Sequence, residues 1–377
     1  MVKKLANPWL RTLVRAGKKQ QRTVSRALTA LLAPKPKPKP KPKPTPKPKP
    51  KPKPKPVSTA APAPAPASAR KTAASPPAAG KWLASHFSAR SENGSGPLRR
   101  MSYWLYLPDA ASLPMPLVVM LHGCDQSATQ FADGTRMNQA AQQRGFAVLY
   151  PQQSVSAHPH RCWKWYDRAT QQGGGDVSVI AGLVRKVMGQ YPLDPARIYI
   201  AGISAGAGMA NIVALSHPDL FAAVGLHSGP MFGAGHSQLG ALGVMKHGAS
   251  HRVDSAIDEV LLKHGQFPPM PTMLIQGEED DVVRPVNQAH LTRQAMQLNR
   301  LDPATPVSVT TNPGGRSGRA HRLHDVYAGR KLMLRVAQIC GLKHAWSGGD
   351  DRLPYNASQG PDASKMLLDF FSKHRRN

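Results

Sequence analysis

Residues Arg197 to Ala214, RIYIAGISAGAGMANIVA, constrain the fold more than any other stretch of the chain. Ile198, Tyr199 and Ile200 favour an extended strand. Gly202-Ile203-Ser204-Ala205-Gly206 forces a sharp turn, and the small residues that follow read as a helix. A serine on such a strand-to-helix elbow has its hydroxyl pushed above the sheet, and small residues two before and two after it let strand and helix pass closely. Ser204 is therefore a candidate nucleophile. The five-residue pattern is weak alone, because Gly and Ser are common in plain turns; the strand before it and the helix after it give it weight.

The surrounding chain supplies a sheet for that elbow. Strand signals recur at Tyr103–Leu107, Pro116–Leu121, Phe146–Tyr150, Ile198–Ala201, Ala223–His227, Thr272–Gln276 and Leu332–Ile339, the second of them apolar enough to be buried on both faces. Helical patterns at Met137–Gln143, Val177–Gln190 and Gly206–Ser216 alternate with them. This order predicts an α/β fold, with a mostly parallel central sheet and helices on both faces. Function in such sheets gathers in the loops beyond the carboxyl ends of the strands.

The N-terminal region follows different rules. Residues 1–81 hold 21 of the 50 Lys+Arg and none of the 21 Asp+Glu, so of the net +29 only +8 belongs to the other 296 residues. The extreme basicity thus says little about what the folded body binds. Over residues 1–33, Arg11, Arg15, Lys18, Arg22 and Arg26 fall on one helical stripe and Trp9, Leu10, Leu13, Val14, Val24, Leu28 and Leu31 on the other. That is a basic amphipathic helix, suited to an anionic or apolar surface, or else to packing on its own domain. Residues 34–56 alternate Pro and Lys with Thr45 as the exception, which forbids helix and sheet. As polyproline II at about 3.1 Å per residue this segment reaches on the order of 70 Å. Its ten lysines are not interleaved with the aromatic residues that stack on bases, so a solvated spacer is expected rather than nucleic-acid binding. The linker continues to residue 81, and the body is expected over 82–377. No apolar run has the length of a membrane span, and Arg11 and Arg15 interrupt the one apolar stretch near the start, so no signal peptide is evident. A cytoplasmic or surface-bound protein is expected on that ground.

A hydroxyl nucleophile needs a base, and the base needs a group to orient it. In elbow-type enzymes the chain order is Ser, acid, His. Behind the strand Thr272–Gln276 comes the acidic cluster Glu278-Glu279-Asp280-Asp281, which is either a source of that acid or a solvated loop. Behind Leu332–Ile339 comes His344, in the right order to be the base. Of the fifteen histidines, His321 and His324 are weaker candidates, because they lie in a Gly- and Arg-rich stretch read as a loop. Two backbone donors are expected for a developing oxyanion: the N–H of Ala205, just after the nucleophile, and the N–H of Cys124 in the loop Leu121–Gln126, where His122 and Gly123 shape the turn.

LHGCDQSATQFA, RCWKWYD, YPLDPARIYIAGISAGAGMA, LFAAVGLHSG, QGEEDDVVRPVN and HAWSGG, in this order, resemble the polyhydroxybutyrate depolymerase family of esterases, of the α/β-hydrolase superfamily. The resemblance covers about residues 82–374. It implies a Ser204-Asp280-His344 triad, with Asp281 as the fallback acid, running serine acyl transfer without metal or cofactor. The family's HGDAD is here QGEED, with Gln276 in place of the histidine and Asp280 kept. The implied substrate is a polyester or short-chain ester, of poly(3-hydroxybutyrate) type or its oligomers. An acetyl or feruloyl esterase of plant-wall carbohydrate is the second reading, and a surface adaptor with an inactive body the third. Trp163, Trp165 and Trp346, with His122, are expected along the substrate cleft, the tryptophans having core packing as their alternative role. Cys124 and Cys162 both stand in loops near the site, so a disulfide bracing the oxyanion loop is one of two readings for them. It would argue for an oxidising, extracellular setting instead of the cytoplasm. Cys340 is expected as a buried thiol. Through residues 1–33 the protein is expected to reach polymer granules or anionic surfaces.

Overall fold

The computed structural model describes residues 78–89, 98–109, 111–316 and 318–376. The amphipathic helix expected over 1–33 and the linker up to residue 77 lie outside the described residues. From the N-terminal side the elements are β1 (Lys81–Ala89), β2 (Arg99–Leu107), β3 (Met115–Leu121), α1 (Ala128–Thr135), α2 (Met137–Arg144), β4 (Ala147–Gln152), α3 (Arg168–Gln171), α4 (Asp176–Gln190), β5 (Leu193–Ile203) and α5 (Ala205–Ser216). They continue with β6 (Ala223–His227), α6 (Gln238–His247), α7 (Val253–His264), β7 (Thr272–Gly277), α8 (Val286–Leu298), β8 (Val307–Asn312), β9 (His321–Ala328), β10 (Lys331–Ile339), the two-residue strands β11 (Trp346–Ser347) and β12 (Asn356–Ala357), and α9 (Ala363–Phe371).

Ten strands form one sheet in the order β1-β2-β4-β3-β5-β6-β7-β10-β9-β8. The run from β4 through β3, β5, β6 and β7 to β10 is parallel, and β2 and β9 join its two sides antiparallel. This is the α/β fold with a mostly parallel central sheet that the strand and helix signals predict. All seven residues of β3 are buried, and their alternation sorts them between two cores. Leu117, Val119 and Leu121 join the core packed by α4, α5, α6, α7 and α8; Val118 and Met120 join the one packed by α1, α2 and α9. Because six neighbouring strands run the same way, their carboxyl ends share one rim. The loops after β3, β5, β7 and β10 meet there.

The structure departs from the sequence reading at the sheet edges. His321 and His324, expected in a loop, belong to β9, which pairs antiparallel with β8 and β10. The reason lies in the side chains: β8 reads VSVTTN and is exposed from Ser308 to Asn312, so it has no hydrophobic period to reveal it. β1 is similarly mostly exposed.

Candidate active site

Ser204 sits at φ 57° and ψ −124°, a conformation L-residues rarely adopt. Neighbours on every side hold it there. Its N–H donates to the His227 carbonyl of β6 at 3.0 Å, and its carbonyl accepts from the Gly208 N–H of α5 at 3.0 Å. A Cβ at Gly202 would lie 2.5 Å from the Gly206 backbone, and one at Gly206 would collide with the Leu121 and His122 carbonyls. The two glycines flanking the serine are thus required by the closeness of β3, β5 and α5. The strain is local, and the Ser204 side chain makes no capping bond to the helix it precedes.

The acid and the base meet directly. Asp280 Oδ2 accepts from His344 Nδ1 at 2.8 Å, and the Asp280 residue is 2% exposed. Since a carboxylate only accepts, Nδ1 carries the proton and Nε2 is left with its lone pair, the tautomer a base requires. The carboxylate is held by three further donors: the N–H groups of Val282 (3.0 Å) and Val283 (2.9 Å) on Oδ1, and Gln276 Nε2 (3.0 Å) on Oδ2. The acid loop is stitched to the base's segment by Glu278 N–H on the Ile339 carbonyl and Glu279 N–H on the Leu342 carbonyl. Asp281, the fallback acid, is exposed, and its carbonyl rather than its carboxylate is engaged, by Lys246.

β6 joins this pair to the elbow. The His227 carbonyl holds Ser204, while its ring stacks on Trp346 with centroids 5.0 Å apart and its Nε2 accepts from the Ser347 N–H at 3.4 Å. Burial, and secondarily the nearby His344, push the His227 imidazole down to about 3, so it is neutral and donates from Nδ1 to Ser228 Oγ. His227 therefore links the residue that bears the nucleophile to the loop that bears the base.

The expected oxyanion loop lies against the elbow: a Cβ at Gly123 would stand 3.6 Å from Ser204 Cβ. Within it the Gly123 N–H goes to Gln126 Oε1 at 2.8 Å and the Asp125 N–H to the His160 carbonyl at 2.7 Å, which leaves the Cys124 N–H uncommitted among the described residues. The Ala205 N–H opens α5, in the turn where helices lack internal acceptors. Cys124 and Cys162 form a disulfide, with Cα atoms 4.3 Å apart. Trp163 Nε1 donates to the His122 carbonyl at 3.0 Å, and His160 Nδ1 contacts Asp125 Oδ1 at 2.8 Å. Residues 160–163 thus grip residues 122–125 at three successive points.

Four side chains expected along a substrate cleft are buried instead. His122 is wholly inside; Nδ1 donates to the Gly123 carbonyl and Nε2 accepts from the Gln153 N–H, and burial pushes it down to about 4. It is a neutral brace for the loop. Trp163 stands beside it with ring centroids 5.4 Å apart. Trp165 lies against α5 at Gly208. Trp346 packs edge-on to Phe131 of α1 and donates to Ser364 Oγ of α9 at 3.2 Å. Each indole serves the core that holds a site loop, so its flat face is not available to a polymer. Cys340, expected buried, is partly exposed just past the end of β10. The sequence reading missed His227 and Gln276; a histidine at the carboxyl end of a core strand and the departure from HGDAD were the signals that pointed to them.

A family model described as Esterase PHB depolymerase matches residues 101–312, more than half of the chain. The chain belongs to this esterase family. The matched span contains Ser204, Cys124 and Asp280; His344 lies beyond it and is brought to Asp280 by the fold. Among curated relatives, the poly(3-hydroxyalkanoate) depolymerase C of Paucimonas lemoignei is 27% identical over 245 residues, covering 63% of this chain and 57% of that protein. A probable acetylxylan esterase A of Neosartorya fischeri is 29% identical over 228 residues, covering 58% and 61%. The feruloyl esterase B of Thermothelomyces thermophilus is 29% identical over 244 residues, covering 62% and 81%. The chain spans 57% and 61% of the length of the first two. Of solved structures, an acetyl xylan esterase from Aspergillus awamori superimposes with TM-score 0.58 at 20% identity, over 72% of this chain and 94% of that one.

Proposed function

We propose that the chain is a serine carboxylic-ester hydrolase acting through an acyl-enzyme, with Ser204 as nucleophile, His344 as base and Asp280 as the orienting acid. The observation that carries this reading is the buried Asp280–His344 hydrogen bond of 2.8 Å at the rim where the strained Ser204 elbow stands. Ser204 Oγ adds to the ester carbonyl while His344 Nε2 takes its proton, and Asp280 stabilises the imidazolium that results. The negative oxygen of the tetrahedral adduct falls to the N–H groups of Cys124 and Ala205, each contributing about 3 to 4 kcal/mol to the transition state. Collapse returns the proton to the leaving alcohol. Water then repeats the sequence on the acyl-serine, with His344 again as base.

The substrate class follows from the family and is a short-chain hydroxyalkanoate polyester or its oligomers. Acetylated or feruloylated carbohydrate is the second reading, favoured by an acetylxylan and a feruloyl esterase that are each 29% identical, against 27% for the polyhydroxyalkanoate depolymerase. The organisation proposed is a basic helix over 1–33, a spacer over 34–81 and the esterase body from 82. The first segment would tether the third to polymer granules or anionic surfaces. The Cys124–Cys162 bond supports residence in an oxidising space over the cytoplasm.

The test is a panel of polyhydroxybutyrate, p-nitrophenyl acetate and butyrate, and feruloylated sugars, run on the wild type and Ser204→Ala. Hydrolysis of at least the soluble esters is expected, with loss in the variant; equal turnover by both would remove the mechanism. Release of hydroxybutyrate oligomers decides for the polyester, and release of ferulate from sugars decides against it.

A further inference from the structure

In the acid arm, Gln276 stands where the motif that this stretch resembles has a histidine. β7 delivers Gln276 to the interior, 2% exposed, and its amide nitrogen donates to Asp280 Oδ2 at 3.0 Å and to the Val283 carbonyl at 2.8 Å. The Val283 N–H returns to Asp280 Oδ1 at 2.9 Å. Gln276, Asp280 and Val283 thus form a closed ring of hydrogen bonds across the loop. Without the amide, the Val283 carbonyl and one acceptor site of Oδ2 would lose their donors inside the protein, where an unmet polar group is costly.

We propose that Gln276 is a positioning residue for the acid–base pair: its amide closes the 277–283 loop and fixes the Asp280 carboxylate so that Oδ2 meets His344 Nδ1. The proposal rests on the triad reading above. Gln276 bonds only the acid and the loop behind it, so it acts through Asp280. Removing the amide frees the carboxylate to turn away from Nδ1, which weakens support for the protonated imidazole, so the acid limb of kcat/KM moves to lower pH. Other charged groups around the pair are engaged elsewhere. His227 faces it from β6 as a neutral ring, Glu278 on the same loop pairs with Arg322 of β9 at 2.6 Å, Lys246 of α6 bonds the Asp281 carbonyl, and Glu279 and Asp281 are exposed. Cys340 beyond β10 has a thiol pushed up by burial and by Glu278, so it is uncharged at neutral pH.

The experiment measures kcat, KM and the pH profile on p-nitrophenyl butyrate for Gln276→Met, which keeps the length and loses the donor, and Gln276→His, which retains one ring N–H. Gln276→Met is expected to lower kcat about tenfold with KM within about twofold, and to move the acid limb down by about half a pH unit. Gln276→His is expected to recover most of the kcat and the wild-type limb. A Gln276→Met enzyme with wild-type kcat and an unmoved limb overturns the proposal, as does a folded Gln276→His enzyme more than tenfold impaired. That second variant decides alone if the first does not fold. Asp280→Asn is the control: wild-type turnover there would remove the triad reading itself, whereas loss there with no effect at Gln276 removes only the present proposal.

Discussion

At the carboxyl ends of β3, β6 and β7, polar side chains are buried and committed: Asp280 accepts four hydrogen bonds, and His122 and His227 use both ring nitrogens. At the antiparallel edge, Ser308 to Asn312 of β8 are all exposed and turn their side chains to solvent. The same sheet therefore contains one margin where buried polar side chains hold one another in place and another where water meets them. Preorganised groups act strongly only where reorganisation is suppressed and water is scarce. The difference explains why chemistry can be hosted at the rim and not at the edge.

The largest expected effect comes from Asp280→Asn, which keeps the volume but favours the wrong His344 tautomer. A fall in kcat of about 10⁴ is expected, with little change in folding, measured by steady-state kinetics beside a thermal melt. A loss confined to stability would mean that the rim is merely a well-packed polar core. Next is Cys162→Ser, which opens the loop brace while Trp163 and His160 remain. We expect about 2 to 4 kcal/mol less stability in denaturant titration, and a kcat loss short of the 10²- to 10³-fold caused by deleting an oxyanion donor. Unchanged kcat with reduced stability would separate the brace from the site.

Acid sharpens the comparison further. His122 and His227 have folded pKa values of about 4 and about 3, both depressed by burial, against about 6.5 in an unfolded chain. Their contribution to stability is present above pH 6.5. It is lost as pH falls toward 4, because the unfolded chain takes up protons the folded one refuses, by up to about 1.4 kcal/mol per pH unit for each histidine. The denaturant midpoint should thus be lower at pH 5 than at pH 7; equal midpoints would show that the two rings are solvated. The smallest effect is expected at the edge, where Val309→Thr on β8 should change stability by less than about 0.5 kcal/mol and leave kcat alone.

The parts legible in the sequence are those where one physical demand dominates. The strand-elbow-helix around Ser204 declares itself through glycines that steric closeness requires, and β3 through a run of apolar residues that only a doubly covered strand tolerates. Asp280 and His344 could be read from their order behind core strands together with a family resemblance, and the structure pairs them. The tryptophans could not be placed, because an indole suits a cleft wall and a core equally well in composition; only packing against Phe131, Ser364, His122 and α5 distinguishes the two. β8 was illegible because a solvated edge strand carries no period, and β9, although paired on both sides, is buried only at His324, Asp325 and Val326. Gln276 was visible only as a departure, since the acid and carbonyl it bonds are brought to it by the loop's fold.

The central claim is that Ser204 becomes covalently acylated with His344 as its base. The direct measurement is intact-mass and peptide mass spectrometry after brief exposure to a short-chain fluorophosphonate, applied to the wild type, Ser204→Ala and His344→Ala. A single adduct on the peptide containing Ser204, absent from Ser204→Ala and much slower to form in His344→Ala, is the result predicted here. An adduct on another residue, or equal labelling of all three proteins, would contradict it.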